Sequence, residues 1–151
     1  MQCDCGKKLL AAGAVFVFKM FAGVTLCGGV FSWVYRLPPT NVWRPMEPSA
    51  RLFVGMCLAS LLFVAGYQLV SQAFAGMRII QKGLVYGLCI WAAGIVPGMI
   101  ATYTFMTVNT TVIVYWTLSM LVLVPLQGVI VASILRENNA GCCLHKPNAV
   151  Q

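Results

Sequence analysis

Acidic residues and histidine are nearly absent from this chain. Its 151 residues include three acids, Asp4, Glu47 and Glu137, and one histidine, His145, and none of the four falls within a long apolar run. No two cysteines have the Cys-x-x-Cys spacing. Few residues are therefore available for general acid–base catalysis, dithiol redox chemistry or haem ligation by a membrane histidine. The lack of acids in the apolar runs also excludes an intramolecular ion pair inside a membrane. We expect a protein that is not an enzyme and holds no cofactor.

Charged residues are also too few for a soluble protein. They make up 9% of the chain and the mean hydropathy is +0.87, whereas a soluble domain has about 25% charged residues. Each of four apolar runs exceeds the roughly 20 residues that a helix needs to cross a bilayer core of about 30 Å. The sequence therefore predicts an all-α integral membrane protein, a single domain over residues 1–151 with short tails. We expect four transmembrane helices in an antiparallel bundle, at residues 9–35, 52–76, 83–105 and 111–135.

The basic residues of the loops predict the orientation of the chain. Arginine and lysine are enriched in cytoplasmic loops, and with the amino terminus inside, six basic loop residues lie inside and three outside. We therefore expect both termini to be cytoplasmic, and we read the net charge of +7 as a sign of topology rather than of nucleic-acid binding. The inner set is Lys7, Lys8, Arg78, Lys82, Arg136 and Lys146, and the outer set is Arg36, Arg44 and Arg51.

Aromatic residues mark the predicted outer side. They flank both the first and the third loop, so that we expect one interfacial belt on that side. In the short third loop, Asn109 or Thr110 is expected to cap the following helix, because a side-chain oxygen there accepts from free N–H groups. The aromatic residues are Trp33, Tyr35 and Trp43 near the first loop and Tyr103, Tyr115 and Trp116 near the third.

The first loop is rich in proline, which excludes a helix and restricts the backbone before each proline. Trp43 and Met46 supply apolar anchors beside Arg44. The loop is therefore either a rigid lid on the outer membrane face or a docking surface for a partner at that face.

Small residues are spaced along the predicted second and third spans so that each set lies on one helical face. In lipid, close backbone approach at such residues supplies much of the association between helices. We therefore expect spans two and three to form a tight hairpin packed on glycine. The small residues are Gly55, Ala59 and Gly66 in span two and Gly83, Gly87, Gly94 and Gly98 in span three.

Two prolines, Pro97 and Pro125, lie inside the third and fourth apolar runs. Each removes one backbone hydrogen bond and tends to kink its helix. Such kinks serve gating in some transporters, but they also occur in static membrane helices.

Four polar side chains fall inside the apolar runs. Lys19 carries a cost of about 2.5–3.5 kcal/mol if it lies at the bilayer centre. We expect it to lie one turn deep and to extend its ammonium to the headgroups. Gln68, Gln72 and Gln127 are expected in the same cytoplasmic half as Lys19. These amides either join the helices by hydrogen bonds or form a polar pocket for a lipid headgroup or an anionic ligand.

The cysteines divide into two groups. Cys27, Cys57 and Cys89 lie in apolar runs and are interpreted as small apolar fillers. The terminal groups could bind Zn²⁺ or Cu⁺, could be acylated beside the membrane, or could have no role, and because their spacing matches no known metal pattern we predict no metal site. These terminal residues are Cys3, Cys5, Cys142, Cys143 and His145.

The sequence favours a non-enzymatic small membrane subunit, a scaffold or an assembly factor of a larger membrane complex or of a homo-oligomer. Its expected partners are membrane lipid and either other membrane-protein subunits or a second copy of the chain. The alternative is a small transporter or channel that uses Lys19, the glutamines and the terminal cysteines, with a soft metal ion as a candidate solute.

Overall fold

The computed structural model describes residues 3–39 and 50–135, and all regular secondary structure in these two ranges is helical. The predictions at Trp43, Arg44, Met46, Cys142, Cys143 and His145 lie outside the described residues, as does the side chain of Cys3. The α-helices are α1 (Cys3–Gly23), α2 (Ala50–Val70), α3 (Ile79–Ile90), α4 (Val96–Phe105) and α5 (Thr110–Ile134). Two π-helical segments, Val24–Val30 and Trp91–Ile95, and two 3₁₀ segments, Ser32–Arg36 and Ser71–Phe74, extend or join them.

Four of the resulting helical stretches are long and apolar enough to cross a membrane. We call them span one (Cys5–Leu26), span two (Ala50–Phe74), span three (Ile79–Phe105) and span four (Thr110–Ile134). Large apolar side chains such as Leu69 and Phe105 point out of the helical bundle with more than four-fifths of their surface exposed. Such a surface suits lipid tails, and the prediction of an all-helical, multi-pass membrane protein is confirmed at this level.

Span one ends earlier than the sequence predicted. The expected limit was residue 35, but the α-helix ends at Gly23 and continues only as the π-helical turns of Val24–Val30. The Thr25 hydroxyl donates to the Phe21 carbonyl at 2.8 Å, a bond that bends helices. Gly28 and Gly29 follow, and glycine has low helix propensity. Local backbone chemistry therefore ends the span before the apolar run itself ends.

The two prolines have different effects on their helices. The π-helical segment Trp91–Ile95 comes directly before Pro97, where the missing N–H and the bulk of the ring disturb an α-helical turn. Span three is therefore interrupted ahead of its proline, and the kinks expected at Pro97 and Pro125 stay predictions. Pro125, in contrast, lies within the continuous helix Thr110–Ile134.

Spans three and four touch backbone to backbone. A Cβ atom added to Gly83 would lie on the backbone of Gly128 and Val129. One added to Gly87 would lie on the backbone of Pro125, and one added to Gly128 on the Gly83 carbonyl. No side chain fits between the helices at these points, so the glycines permit a contact that any other residue would prevent.

The partner of the glycine face is therefore not the one that the sequence predicted. Gly83 and Gly87 face span four rather than span two, because Gly128 offers a second surface that lacks a side chain. The rest of the predicted stripe has no such contact: a Cβ added to Gly55, Gly94 or Gly98 would meet nothing within 4 Å. Ala59 is likewise exposed.

The contacts between spans three and four continue beyond the glycines. The Trp91 indole N–H donates to the Thr117 carbonyl at 2.9 Å. Later residues of span three thus contact earlier residues of span four. Gly83 lies opposite Gly128, and Trp91 lies opposite Thr117. The buried core beside this pair is completed by residues of spans one and two, such as Val15 and Val64.

Gly87→Ala should destabilise the fold, because the new methyl group must displace the backbone of Pro125. Overpacking of this kind costs about 1–3 kcal/mol. Gly94→Ala is the matched control, since the same change there meets open space and slightly favours the helix. The measurement is the midpoint of thermal unfolding in a mild detergent, and equal midpoints for the two variants would contradict the close approach.

Candidate functional site

The interior of the bundle is organised around one tyrosine. Tyr86, on span three between Gly83 and Gly87, is 2% exposed. Its hydroxyl donates to the Phe63 carbonyl of span two at 2.6 Å. Phe63 lies inside a helix, where a carbonyl that accepts the helical bond retains a second lone pair. The bond satisfies a buried hydroxyl that has no access to water at this depth, and it ties span three to span two.

Gly66 provides the space for this hydroxyl. A Cβ atom at Gly66 would lie 2.8 Å from the Tyr86 oxygen, so a larger residue would push the ring away. Gly66 therefore lies at a helix contact, as predicted, but it meets an aromatic side chain rather than another glycine. The Phe63 and Tyr67 rings meet the Tyr86 ring edge-on, with centroids 5.0 and 5.2 Å away, a favourable arrangement for aromatic pairs.

Lys19 adds a positive charge to this group. Its Nζ atom lies 5.7 Å from the centroid of the Phe63 ring, within the range of a cation–π interaction. We call Lys19, Phe63, Gly66, Tyr67 and Tyr86 the interior cluster. The cluster combines one cation, three aromatic rings and a glycine at the meeting of spans one, two and three.

Lys19 lies well inside the helix of span one. About 21 Å of helix separates it from Cys5 at the start of span one. Its partner Phe63 lies near the middle of span two, about 20 Å from Ala50 and about 17 Å from Phe74. Both residues thus lie well inside their helices, and the expected membrane depth of Lys19, one turn below the headgroups, stays a prediction.

The charge of Lys19 is only partly offset within the chain. No span contains an aspartate or glutamate. Asp4, on the same helix, is separated from it by about 22 Å along the axis. A cation–π contact contributes about 0.5–2 kcal/mol, against a cost of about 2.5–3.5 kcal/mol for a lysine at the centre of a bilayer. Among the described residues, Lys19 has a ring beside it but no counter-ion.

The three glutamines differ in how far they are buried. Gln127 is 4% exposed within span four, Gln68 is half-buried, and Gln72 is exposed in the 3₁₀ turn that ends span two. Within residues 3–39 and 50–135, no hydrogen bond joins these amides to one another or to Lys19. The interior cluster therefore combines Lys19 with aromatic residues instead of amides.

No protein family, curated protein or solved structure matches this chain. The chemistry of the interior cluster accordingly rests on its own residues. Of these, sequence reasoning had selected Lys19 and Gly66 and had missed Phe63, Tyr67 and Tyr86. The available signal was a tyrosine placed between two glycines four residues apart, since such a hydroxyl inside a bilayer needs an acceptor.

At the opposite end from the Gly83 contact, aromatic residues join the first and third loops. The Trp116 indole N–H donates to the Tyr35 hydroxyl at 3.0 Å. The Asn109 amide donates to the Pro38 carbonyl at 3.3 Å, and its oxygen accepts from the N–H of Thr111 at 2.9 Å. The predicted cap of span four is therefore confirmed at Asn109. We call Tyr35, Pro38, Asn109, Thr111 and Trp116 the loop clasp.

The loop clasp also bears on the predicted aromatic belt. It places Tyr35 and Trp116 at one end of the bundle, and the Phe31 and Tyr115 rings stack nearby with centroids 4.4 Å apart. The Tyr115 hydroxyl is buried there without a hydrogen-bond partner among the described residues. Tyr35, Tyr115 and Trp116 of the predicted belt thus lie at one end of the bundle, whereas Trp43 lies outside the described residues.

The cysteines do not form a metal centre in the described part of the chain. Residues 3–39 and 50–135 contain no group of three potential ligands. Cys5, Cys57 and Cys89 are free thiols on the surface. Cys57 and Cys89 were interpreted as small apolar fillers, but both are exposed, and the side chain of Cys27 lies outside what the structure describes.

A double-mutant cycle can measure the fit between Tyr86 and Gly66. Tyr86→Phe removes the bond to the Phe63 carbonyl, and we expect a loss of about 0.6–2 kcal/mol, the range for side-chain hydrogen bonds in membranes. Gly66→Ala should also destabilise the protein, but less in the Tyr86→Phe background, because the clashing oxygen is then absent.

Thermal unfolding in detergent provides the readout for all three variants. Tyr103→Phe, at an exposed tyrosine of the same span, is the control and should leave the midpoint unchanged. Strict additivity of Gly66→Ala and Tyr86→Phe would contradict the contact between the two residues.

Proposed function

We propose that the protein is a non-enzymatic membrane subunit, a scaffold or assembly component of a larger membrane complex or of a homo-oligomer. Span three supports the proposal because little of it is buried within the chain. Of its most apolar stretch 11% is buried, compared with 33% for span four. Its Gly94 and Gly98 face open space and are four residues apart on one helical face. In membranes, exposed pairs of this kind allow the backbone of another helix to approach closely.

The buried core supports this proposal over the alternative of a transporter or channel. A path for a polar solute needs polar groups along the bundle. Among the described residues, the buried polar side chains are Ser60 and Gln127. The Ser60 hydroxyl donates to the Met56 carbonyl of its own helix, and the Tyr86 hydroxyl donates to the Phe63 carbonyl, so neither hydroxyl is left free to line a path.

We further propose that the four spans form an antiparallel bundle with both termini in the cytoplasm. Because later residues of span three contact earlier residues of span four, we infer that these two spans run in opposite directions. The distribution of basic residues supports the cytoplasmic side for the link that contains Arg78. The loop clasp then faces outward.

Cysteine accessibility tests the orientation. In a cysteine-free background, Thr107→Cys in the third loop should react with an impermeant maleimide in intact cells. Ala75→Cys and Ala140→Cys should react only after permeabilisation, because both are proposed to be cytoplasmic. Labelling of Ala140→Cys in intact cells would overturn the topology.

Assembly is tested on the full chain extracted from its native membranes in mild detergent. Native mass spectrometry should detect particles heavier than the 16.4 kDa monomer. Gly94→Leu should reduce these particles without lowering the unfolding midpoint of the monomer, because the leucine blocks an outer face and meets nothing inside. Ala92→Leu, at an exposed small residue on the opposite side of the helix, is the control. A purely monomeric wild-type protein would exclude the proposed function.

A further inference from the structure

We propose that Lys19 forms an ion pair with a carboxylate on a transmembrane helix of a different membrane protein. The inference rests on the proposed function and specifies the chemistry of the partner. Lys19 lies well inside the helix of span one beside Phe63, and among the described residues it has a ring beside it but no anion. Ionisable residues inside membranes usually pair with one another or face a polar cavity.

The partner carboxylate cannot come from this chain or from a second copy of it. The three acids are Asp4, Glu47 and Glu137, and none of them lies in a span. A second copy brings only these same three acids, none of which falls within a span. A homo-oligomer therefore leaves Lys19 without a counter-ion, whereas a different protein with an aspartate or glutamate at mid-span supplies one.

The surface around Lys19 is open to another helix. The lysine side chain is half-buried, so its ammonium is not sealed inside the bundle. Gly23, one turn further along the same face of span one, is exposed, and a Cβ atom there would meet nothing within 4 Å. Ala59, one turn from Phe63 on span two, is also exposed. Small residues at these positions let a partner backbone come close enough for a short carboxylate side chain to reach the ammonium.

Contact with the Phe63 ring does not prevent Lys19 from forming an ion pair with another protein. A lysine ammonium has three N–H donors. The ring at 5.7 Å stabilises the positive charge but carries no negative charge that would neutralise it. A carboxylate can therefore bind on a side that the ring does not cover. Both charges are then compensated in a region without water, which makes the contact costly to break by removing either partner.

The experiment uses the full chain in its native membranes, with a photo-reactive amino acid at position 23. Cross-linked peptides are sequenced, and we expect a transmembrane segment of another protein that contains an aspartate or glutamate. Lys19→Met should lower the yield of this cross-link by about tenfold or more, since it leaves that carboxylate buried and unpaired. Lys19→Arg should retain the cross-link, and so should the control Lys7→Met, which alters an exposed lysine at the start of span one.

Charge exchange separates an ion pair from simple packing. Lys19→Asp should abolish the cross-link, and replacing the partner acid with lysine should restore it in the Lys19→Asp background. The isolated Lys19→Met protein should unfold in detergent no earlier than wild type, because it loses a charge that the chain alone does not compensate. This second measurement shows that a lost cross-link does not result from a misfolded variant, and clear destabilisation of Lys19→Met would count against the proposal.

The outcomes distinguish this inference from the proposed function. A cross-link that survives Lys19→Met, or one that joins only copies of this chain, overturns the ion pair and leaves an assembling subunit. A fatty acid or another small anion captured in place of a helix also overturns it. A wild-type chain that is monomeric and forms no cross-link overturns both.

Discussion

The backbone contact between spans three and four is the constraint on which the rest of the described structure depends. In lipid there is little hydrophobic attraction between helices, so their association relies on close packing. Gly83, Gly87 and Gly128 allow two backbones to touch. Because Tyr86 lies between the two glycines of span three, the same contact fixes the direction in which its ring enters the bundle. The hydroxyl of Tyr86 then joins span two through the Phe63 carbonyl.

Polar side chains within the spans mostly donate their hydrogen bonds to backbone carbonyls. Ser60 and Thr117 bind carbonyls of their own helices, while Tyr86 and Trp91 bind carbonyls of neighbouring helices. Lys19 differs from them because a carbonyl or a ring does not neutralise its charge. The proposal of an anionic partner helix follows from this difference, because no described residue supplies Lys19 with a counter-ion.

The sequence alone determined the class of the protein and much of its local structure. Four apolar runs predict four membrane-crossing helices because every backbone polar group in lipid must be satisfied within a helix. The cap at Asn109 and the interruption before Pro97 follow from the chemistry of single residues and their immediate neighbours. The common side of Tyr35 and Trp116 follows from counting spans.

Tertiary structure alone decided which surfaces meet and how deep each side chain lies. Gly83 with Gly87 and Gly94 with Gly98 have the same spacing, yet only the first pair contacts another helix. The difference depends on Gly128, far along the chain, and no local pattern encodes that meeting. The ring beside Lys19 likewise comes from another span, so that no pattern within span one could have indicated it. Helix formation is a local property of the chain, whereas helix pairing is a match between distant surfaces.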